Sequence, residues 1–335
     1  MDAYYERYGG AVVSAAIDKY CYAIVSNGEV GPTEIRSSSD YQNSIGVNVS
    51  SSSDADLPVP RAVVDYFGRG QGLSIFIAFQ VPSDTGLGSS TASGIALIQA
   101  LQVLDGSPLS AHELAELACQ IEIGRLGRPI GKQDAFALAF GGLNYIQFRS
   151  DGVTVDPIIL APDLKTALES RLMLFFTGRW QDSGRIWTEQ RRNTQRNRAS
   201  VIDALHDIKE AAVRLNDDLR RGEISAVGNC LHKSWMAKRR LAQGVTDPWI
   251  DQWYDSAINA GAKGGKIVGA GGGGFMLLYC EPDRQSNVTQ ALQGAGLAEV
   301  PFRFESEGAS VLLKQGALGQ RFQLAPSPRG ESPAN

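Results

Sequence analysis

The segment Val81-Pro-Ser-Asp-Thr-Gly-Leu-Gly-Ser-Ser-Thr-Ala-Ser-Gly94 holds the residues best suited to phosphate chemistry. A strand-like run ends there, a Gly-Ser loop follows, and an apolar helical pattern begins. A helix N-terminus presents unpaired N–H groups and the positive end of its dipole, and both attract anions. Gly86 and Gly88 let the backbone fold closely around such an anion. Ser89 and Ser90 can cap the helix or offer hydroxyls to phosphate or metal. The G-K-[ST] of a Walker loop is absent, and so is a G-x-G-x-x-G fingerprint. On the residues alone, a phosphate cradle and an ordinary Ser-capped helix after a Gly turn both fit.

A second stretch, Gly264-Gly-Lys-Ile-Val-Gly-Ala-Gly-Gly-Gly-Gly-Phe275, packs seven glycines into eleven residues ahead of an apolar strand. Ordering so many glycines costs conformational entropy. Close approach of this backbone to another backbone or a ligand explains it better than a flexible linker. Two carboxylates stand out between these stretches. On a helix expected from Ser110, Ala115, Ala118, Cys119 and Glu122 share a stripe at i+3/i+4 spacing, so Glu122 either points inward or marks the solvent boundary. Asp134, in Gly131-Lys-Gln-Asp-Ala-Phe136, reads as a helix cap or a site residue. Arg185, Arg191, Arg192, Arg196 and Arg198 form a clamp for phosphate or, more commonly, a solvated helix face.

The elements that must position these groups alternate in type. Ala11–Ile17 and Tyr20–Val25 read as strand-like, with Asn27-Gly28 as a turn. Residues 37–56, rich in Ser and Asp, read as a mobile loop. Pro58–Phe67 reads as a helix and Leu73–Val81 as a strand. Helices are expected from Ser89 to Leu104 and from Ser110, where Ser110 and Glu113 make a capping box. Leu143–Phe148 and Val153–Ile158 read as a hairpin across Asp151-Gly152. Arg171–Thr177 reads as a strand followed by three helices, the first bearing Val201, Ile202, Leu205, Ile208, Ala212, Leu215 and Leu219 on one face. Asp247-Pro248 is an N-cap and N1 pair. Phe275–Cys280 reads as a strand and Asp283–Gln293 as a helix. Val300–Glu305 and Ala309–Lys314 read as a hairpin across Glu307-Gly308.

Composition bounds the function. The chain has 335 residues, enough for roughly two domains. Its 32 Lys and Arg against 36 Asp and Glu argue against a basic nucleic-acid binder. Cys21, Cys119, Cys230 and Cys280 are scattered among apolar neighbours with no C-x-x-C, as expected of buried thiols in a reducing compartment. Three histidines without H-x-x-x-H spacing argue against a zinc hydrolase. No signal-peptide core or membrane-length apolar run is present, so a cytoplasmic protein is expected.

Pro82-Ser-Asp-Thr-Gly-Leu-Gly-Ser-Ser90 resembles the P-x-x-x-G-L-G-S-S motif of the GHMP kinases, the superfamily of galactokinase, homoserine kinase, mevalonate kinase and phosphomevalonate kinase. Lys266–Phe275 resembles their third motif. The likeness runs from about residue 4 to residue 316. Tyr4–Ser14, Ile17-Asp-Lys-Tyr20, Gly131-Lys-Gln-Asp134, Leu231-His-Lys-Ser-Trp235 and Gly264-Gly-Lys266 look closest to the D-glycero-α-D-manno-heptose 7-phosphate kinases. Fucose-kinase-type members share much of this pattern.

The resemblance implies a two-domain α/β (α+β) fold. Residues 1–160 would form an ATP-binding domain of the ribosomal-S5 second-domain type. Residues 161–316 would form a ferredoxin-like domain, and 317–335 a disordered tail. It implies that Asp84, Thr85, Gly86, Leu87, Gly88, Ser89 and Ser90 bind ATP. Ser90 and Glu122 would hold Mg²⁺, and Asp134 would be the catalytic carboxylate. Gly271, Gly272, Gly273 and Gly274 would lie near phosphate and substrate. The implied reaction is phosphorylation of the anomeric hydroxyl of a heptose 7-phosphate. The alternatives are a kinase for another sugar such as fucose, or a nucleotide-binding protein without turnover. The expected partner is a small sugar phosphate, with a homodimer compatible and neither nucleic acid nor membrane involved. The family has a further motif ahead of Tyr4-Tyr5, a basic residue on a strand and then Gly-Gly-Gly-Thr-Asp. Met1 falls just after it, so either the N-terminus is longer than the one given, which is the expected case, or the chain lacks a core strand and part of its substrate site. Without that strand a sheet edge would be left unpaired.

Overall fold

The computed structural model describes residues 1–38, 57–82, 85–179 and 183–314. Most of the loop expected over 37–56, the tail expected over 317–335, and Asp84 lie outside the described residues.

Helix α1 (Asp2–Tyr8) leads into β1 (Gly10–Ala15), β2 (Cys21–Pro32) and β3 (Glu34–Ser37). Then come α2 (Pro58–Tyr66), β4 (Gln71–Phe79), α3 (Ser89–Leu104) and α4 (Ala111–Cys119). Helix α4 runs on as a π-helical turn over Gln120–Arg125, and α5 (Gln133–Phe140), β5 (Leu143–Arg149) and β6 (Gly152–Pro157) follow. Beyond these lie α6 (Pro162–Glu169), β7 (Leu172–Phe176), α7 (Ser183–Gln195), α8 (Ala199–Arg220), α9 (Ala226–Lys238) and α10 (Pro248–Ala260). The chain then makes β8 (Gly264–Ile267), β9 (Phe275–Tyr279), α11 (Gln285–Gly294) and β10 (Ala298–Glu299).

These strands form three sheets, β1-β5-β6, β2-β4-β3 and β10-β7-β9-β8. All pairs are antiparallel except β3 with β4. Strands β1 and β2 each end a sheet, and both line one cavity of about 1470 Å³. No helix among the described residues is long and apolar enough to cross a membrane.

Apolar periodicity explains most elements. Ile75 and Ile77 of β4, Ile95, Leu97, Ile98 and Leu101 of α3, and Leu114 and Ala115 of α4 form one core with Phe136. A second core gathers Phe175, Met276 and Leu278 under Trp235, Trp253 and Val288. Ala11, Tyr145, Leu215, Leu219 and Tyr279 pack together and join the two halves of the chain. Val81, Leu174 and Phe275 make a smaller join, and Leu87 and Val268 pack onto it from the two glycine-rich stretches. Asp247 caps α10, its carboxylate accepting from Ile250 N at 2.9 Å. Ser110 and Glu113 form the expected capping box. Cys119 and Cys280 are buried, Cys21 and Cys230 are half-buried, and all four are free thiols.

Three expectations need correction. Asn27-Gly28 is not a turn; both lie within β2 where its register against β4 becomes irregular. A Cβ on Gly28 would sit 2.9 Å from the Leu73 carbonyl carbon, so this glycine serves a close strand approach. Among the described residues, four helices rather than three separate β7 from β8. The extra one, α7, buries Gln190, Asn193 and Thr194 beside Ile186, a mostly polar stripe with no apolar period to betray it. The C-terminal hairpin does not form. Val300 N bonds Leu174 O of β7, and the chain then runs back across the other half, where Glu305 N bonds Ala16 O and Ala309 N bonds Leu138 O. Gly308 is there because a side chain would overlap the Ala139 carbonyl, 2.0 Å from its would-be Cβ.

Candidate active site

Residues 85–88 lead into α3, which is capped by Gly88 in the left-handed region at φ 73°. The serine-capped alternative is not realised, since no side chain accepts from the first turn of α3. No side chain covers the N–H groups there, and Thr85, Gly86, Leu87, Gly88, Ser89 and Ser90 all line the cavity. Buried Ile95, Leu97, Ile98 and Leu101 fix the rest of the helix, so its N-terminus is rigidly aimed.

The second glycine-rich stretch lies directly against this loop. A Cβ on Gly269 would fall 2.4 Å from Gly86 Cα, and one on Gly274 would fall 2.1 Å from Thr85 O. Close backbone approach, rather than linker flexibility, therefore accounts for those glycines. Hydrogen bonds hold the stretch, among them Gly272 N to Val245 O (2.9 Å), Gly274 N to Arg179 O (2.7 Å) and Thr177 N to Gly274 O (2.9 Å). Lys238, at the end of α9, donates its ammonium hydrogens to Ile267 O (3.1 Å) and to Gly269 O.

Glu122 sits on the π-helical turn and is only 1% exposed, so the inward reading of its stripe holds. Such turns re-aim side chains and recur at functional sites. Burial raises the Glu122 carboxyl above its ordinary range, opposed by Arg128 and by a hydrogen bond from Thr91. Arg128 Nη1 donates to Glu122 Oε2 and to Ser90 Oγ, each at 2.7 Å. The hydroxyl and the carboxylate therefore converge on one point.

Asp134 is the second residue of α5 rather than its cap. Its carboxylate lies against Gly88, whose would-be Cβ would stand 3.4 Å from Asp134 Oδ2. Burial pushes this carboxyl up from its ordinary value, while a Gln133 hydrogen bond and the charges of Arg128 and Lys238 pull it down. Burial in turn holds the Lys238 ammonium well below its usual range, and Lys266 adds to that effect. Lys266 too is depressed by burial.

The structure thus brings residues 85–90, Asp134, Gly271 and Gly273 to the lining of one cavity, with Gly272 and Gly274 beside them. Glu122 does not itself line the cavity and lies behind Ser90, joined to it through Arg128. The arginine run does not join them. None of its five members lines the cavity, and Arg191 pairs with Asp2 at 2.6 Å. Sequence reasoning missed Lys238 and Arg128. Lys238 continues the i, i+4, i+7 spacing of Leu231, Trp235 and Lys238 on α9, a usable signal. Arg128 lies in an aperiodic stretch between Gly127 and Gly131 and carried none.

Two family models match this chain. The GHMP kinases N terminal domain covers residues 59–142, and the GHMP kinases C terminal model covers residues 215–297. The chain belongs to the GHMP kinases. It is accordingly a phosphotransferase with an alcohol-group acceptor, and the family implies ATP as donor. The D-glycero-alpha-D-manno-heptose 7-phosphate kinase of Campylobacter jejuni is 29% identical over 315 residues, 92% of each chain. The crystal structure of a D-glycero-D-manno-heptose 1-phosphate kinase from Bacteroides thetaiotaomicron superposes with a TM-score of 0.70. That match has 27% identity and covers 91% of this chain and 90% of the other. The mevalonate kinase of L. major superposes with a TM-score of 0.66 over 90% of this chain and 92% of its own. At 16% identity it speaks to the fold alone.

Proposed function

We propose that this GHMP kinase transfers the γ-phosphoryl group of ATP to the anomeric hydroxyl of a heptose 7-phosphate, giving the 1,7-bisphosphate. The observation that carries the reading is the contact of Asp134 with Gly88. A carboxylate at the start of the phosphate-facing helix meets an acceptor hydroxyl next to the phosphates. The backbone N–H groups of Gly86–Ser90 bind those phosphates, with Asp84 and Thr85 leading into the loop. Gly271–Gly274 close the site over them. Asp134 orients the acceptor hydroxyl and takes its proton as the new P–O bond forms. Phosphoryl transfer needs chiefly such positioning and charge neutralisation. Residues 1–160 act in this reading as the nucleotide-binding domain and 161–316 as the second domain.

Ser90 and Glu122 fit a magnesium ion. Both are hard oxygen donors converging on one point, and Mg²⁺ is commonly held by one or two carboxylates plus substrate phosphates. When bound there, the ion would neutralise charge on the β- and γ-phosphates. Four free thiols suit a cytoplasmic setting.

The choice of heptose 7-phosphate leans on the name of the C. jejuni relative. The test is ADP release by the full chain with Mg²⁺-ATP and, in parallel, the heptose 7-phosphate, the heptose 1-phosphate and fucose. The 7-phosphate is expected to turn over fastest, with a new anomeric phosphate in the ³¹P spectrum. Binding of Mg²⁺-ATP with no sugar-dependent ADP release would instead make the chain a nucleotide-binding protein.

A further inference from the structure

Glu122 is a buried carboxylate, and an ionised carboxylate out of water needs a cation. Arg128 supplies it. One nitrogen, Nη1, touches both Glu122 Oε2 and Ser90 Oγ at 2.7 Å. The guanidinium therefore occupies the point where these two oxygens would share a metal. At contact distance in a low-dielectric pocket, a guanidinium and a divalent ion repel each other strongly. The seat holds one or the other.

We propose that Arg128 is the resident counter-ion of the divalent-cation seat, holding Ser90 and Glu122 in register until the metal displaces it. The inference rests on reading Ser90 and Glu122 as the metal-facing pair. Two further observations suit Arg128 to the role. Its backbone is tied to the π-helical turn, Arg128 N donating to Glu122 O at 3.1 Å, so the side chain stays beside the seat whichever way it points. Its side chain is 26% exposed whereas that of Glu122 is 2% exposed, so the cation has a way out that the carboxylate lacks. Arginine also carries its terminal nitrogens farther from the backbone than lysine does, so a lysine ammonium in its place would bridge the two oxygens less well. Arg128 is thus a positioning residue. It sets how tightly the seat takes its metal and prevents Glu122 from being left charged and unpaired before the metal arrives.

The test uses Mn²⁺ as probe, with bound ion counted by electron paramagnetic resonance on the full chain without nucleotide. Arg128→Gln is expected to bind Mn²⁺ about tenfold more tightly than the parent, a difference of about 1.4 kcal/mol. Adding Glu122→Gln should erase that gain. A purely structural arginine would not tighten metal binding. Equal affinity in the parent and Arg128→Gln, with Glu122→Gln weakening both, would overturn the role of Arg128 and leave the metal seat standing. Affinities that ignore Glu122 altogether would overturn both. Should Arg128→Gln fail to fold, Arg128→Lys keeps a positive charge and still loosens the bridge. It is then expected to bind Mn²⁺ more tightly than the parent, and parental affinity would overturn the proposal.

Discussion

Asp134 and Gly88 meet where two helices begin. A side chain on Gly88 would place its Cβ 3.4 Å from Asp134 Oδ2 and 3.5 Å from Asp134 Cγ. Gly88 caps α3 and Asp134 lies in the first turn of α5. Both helix dipoles therefore bring positive potential to one spot, where burial alone would disfavour a charged carboxylate. The spot is served by side chains far apart in sequence. Arg128 and Lys238 both stabilise the ionised form of Asp134.

The first prediction follows from that contact. Asp134→Asn keeps the shape and removes the base. Loss of a positioned base lowers rate by roughly 10²–10⁴. The variant is expected to bind ATP with little change and to lose at least about a hundredfold in kcat. Steady-state kinetics beside nucleotide calorimetry checks this. Near-parental kcat would remove Asp134 from catalysis.

Gly88→Val tests the loop itself. The residue has φ 73°, a backbone region that a β-branched side chain strongly resists, and its new methyl groups would press on Asp134. ATP affinity is expected to fall by about tenfold or more, because the N–H groups of the loop can no longer close on phosphate. Circular dichroism should still show a folded protein. Unchanged affinity by calorimetry would mean that the loop does not hold the nucleotide.

Much of this arrangement was legible in the sequence because it rests on local rules. The apolar period of Ser89–Leu104, the Ser110 capping box and the Asp247-Pro248 start are local signals, and each element formed as expected. The glycines of 264–274 announced close approach, yet only the fold could say that Gly86 and Thr85 are what they approach. Where reading failed, a residue type had two uses. Gly28 and Gly308 look like turn glycines and serve close packing instead. Helix α7 hides because its inner face is polar. Arg128 reaches Ser90 across 38 positions, and no periodicity encodes so long a contact.

Asp247→Ala separates stability from chemistry. The Asp247 carboxylate caps α10 by accepting from Ile250 N. Losing such a cap costs about 1 kcal/mol. The urea midpoint is expected to fall accordingly while kcat stays within about twofold of the parent, as the cap touches no reacting group. A large loss of kcat would mean that α10 transmits order to Gly272, which hangs on Val245 just upstream.

The last prediction concerns pH and joins activity to stability. Burial raises the carboxyls of both Asp134 and Glu122 above their ordinary values. A base must be ionised to accept a proton, so kcat/KM should fall as pH falls through the folded-state pKa of Asp134. That acid limb is expected above the ordinary carboxylate value of about 4. Stability runs the other way. A carboxyl whose folded pKa is raised binds more protons in the folded state than in the unfolded one. Its contribution is fully present below the unfolded value and is lost as pH rises through the folded value. Activity should therefore rise across the same window in which these two groups cause stability to decline. Lys238 tells them apart, because its charge acts on Asp134 and is not among the influences on Glu122. In Lys238→Gln a neutral donor can still bond the Ile267 and Gly269 carbonyls, but the positive charge beside Asp134 is gone. The acid limb of kcat/KM should then move to higher pH, and its midpoint can be read whatever the absolute rate. A limb that stays in place would assign the titration to Glu122 and leave Asp134 ionised throughout.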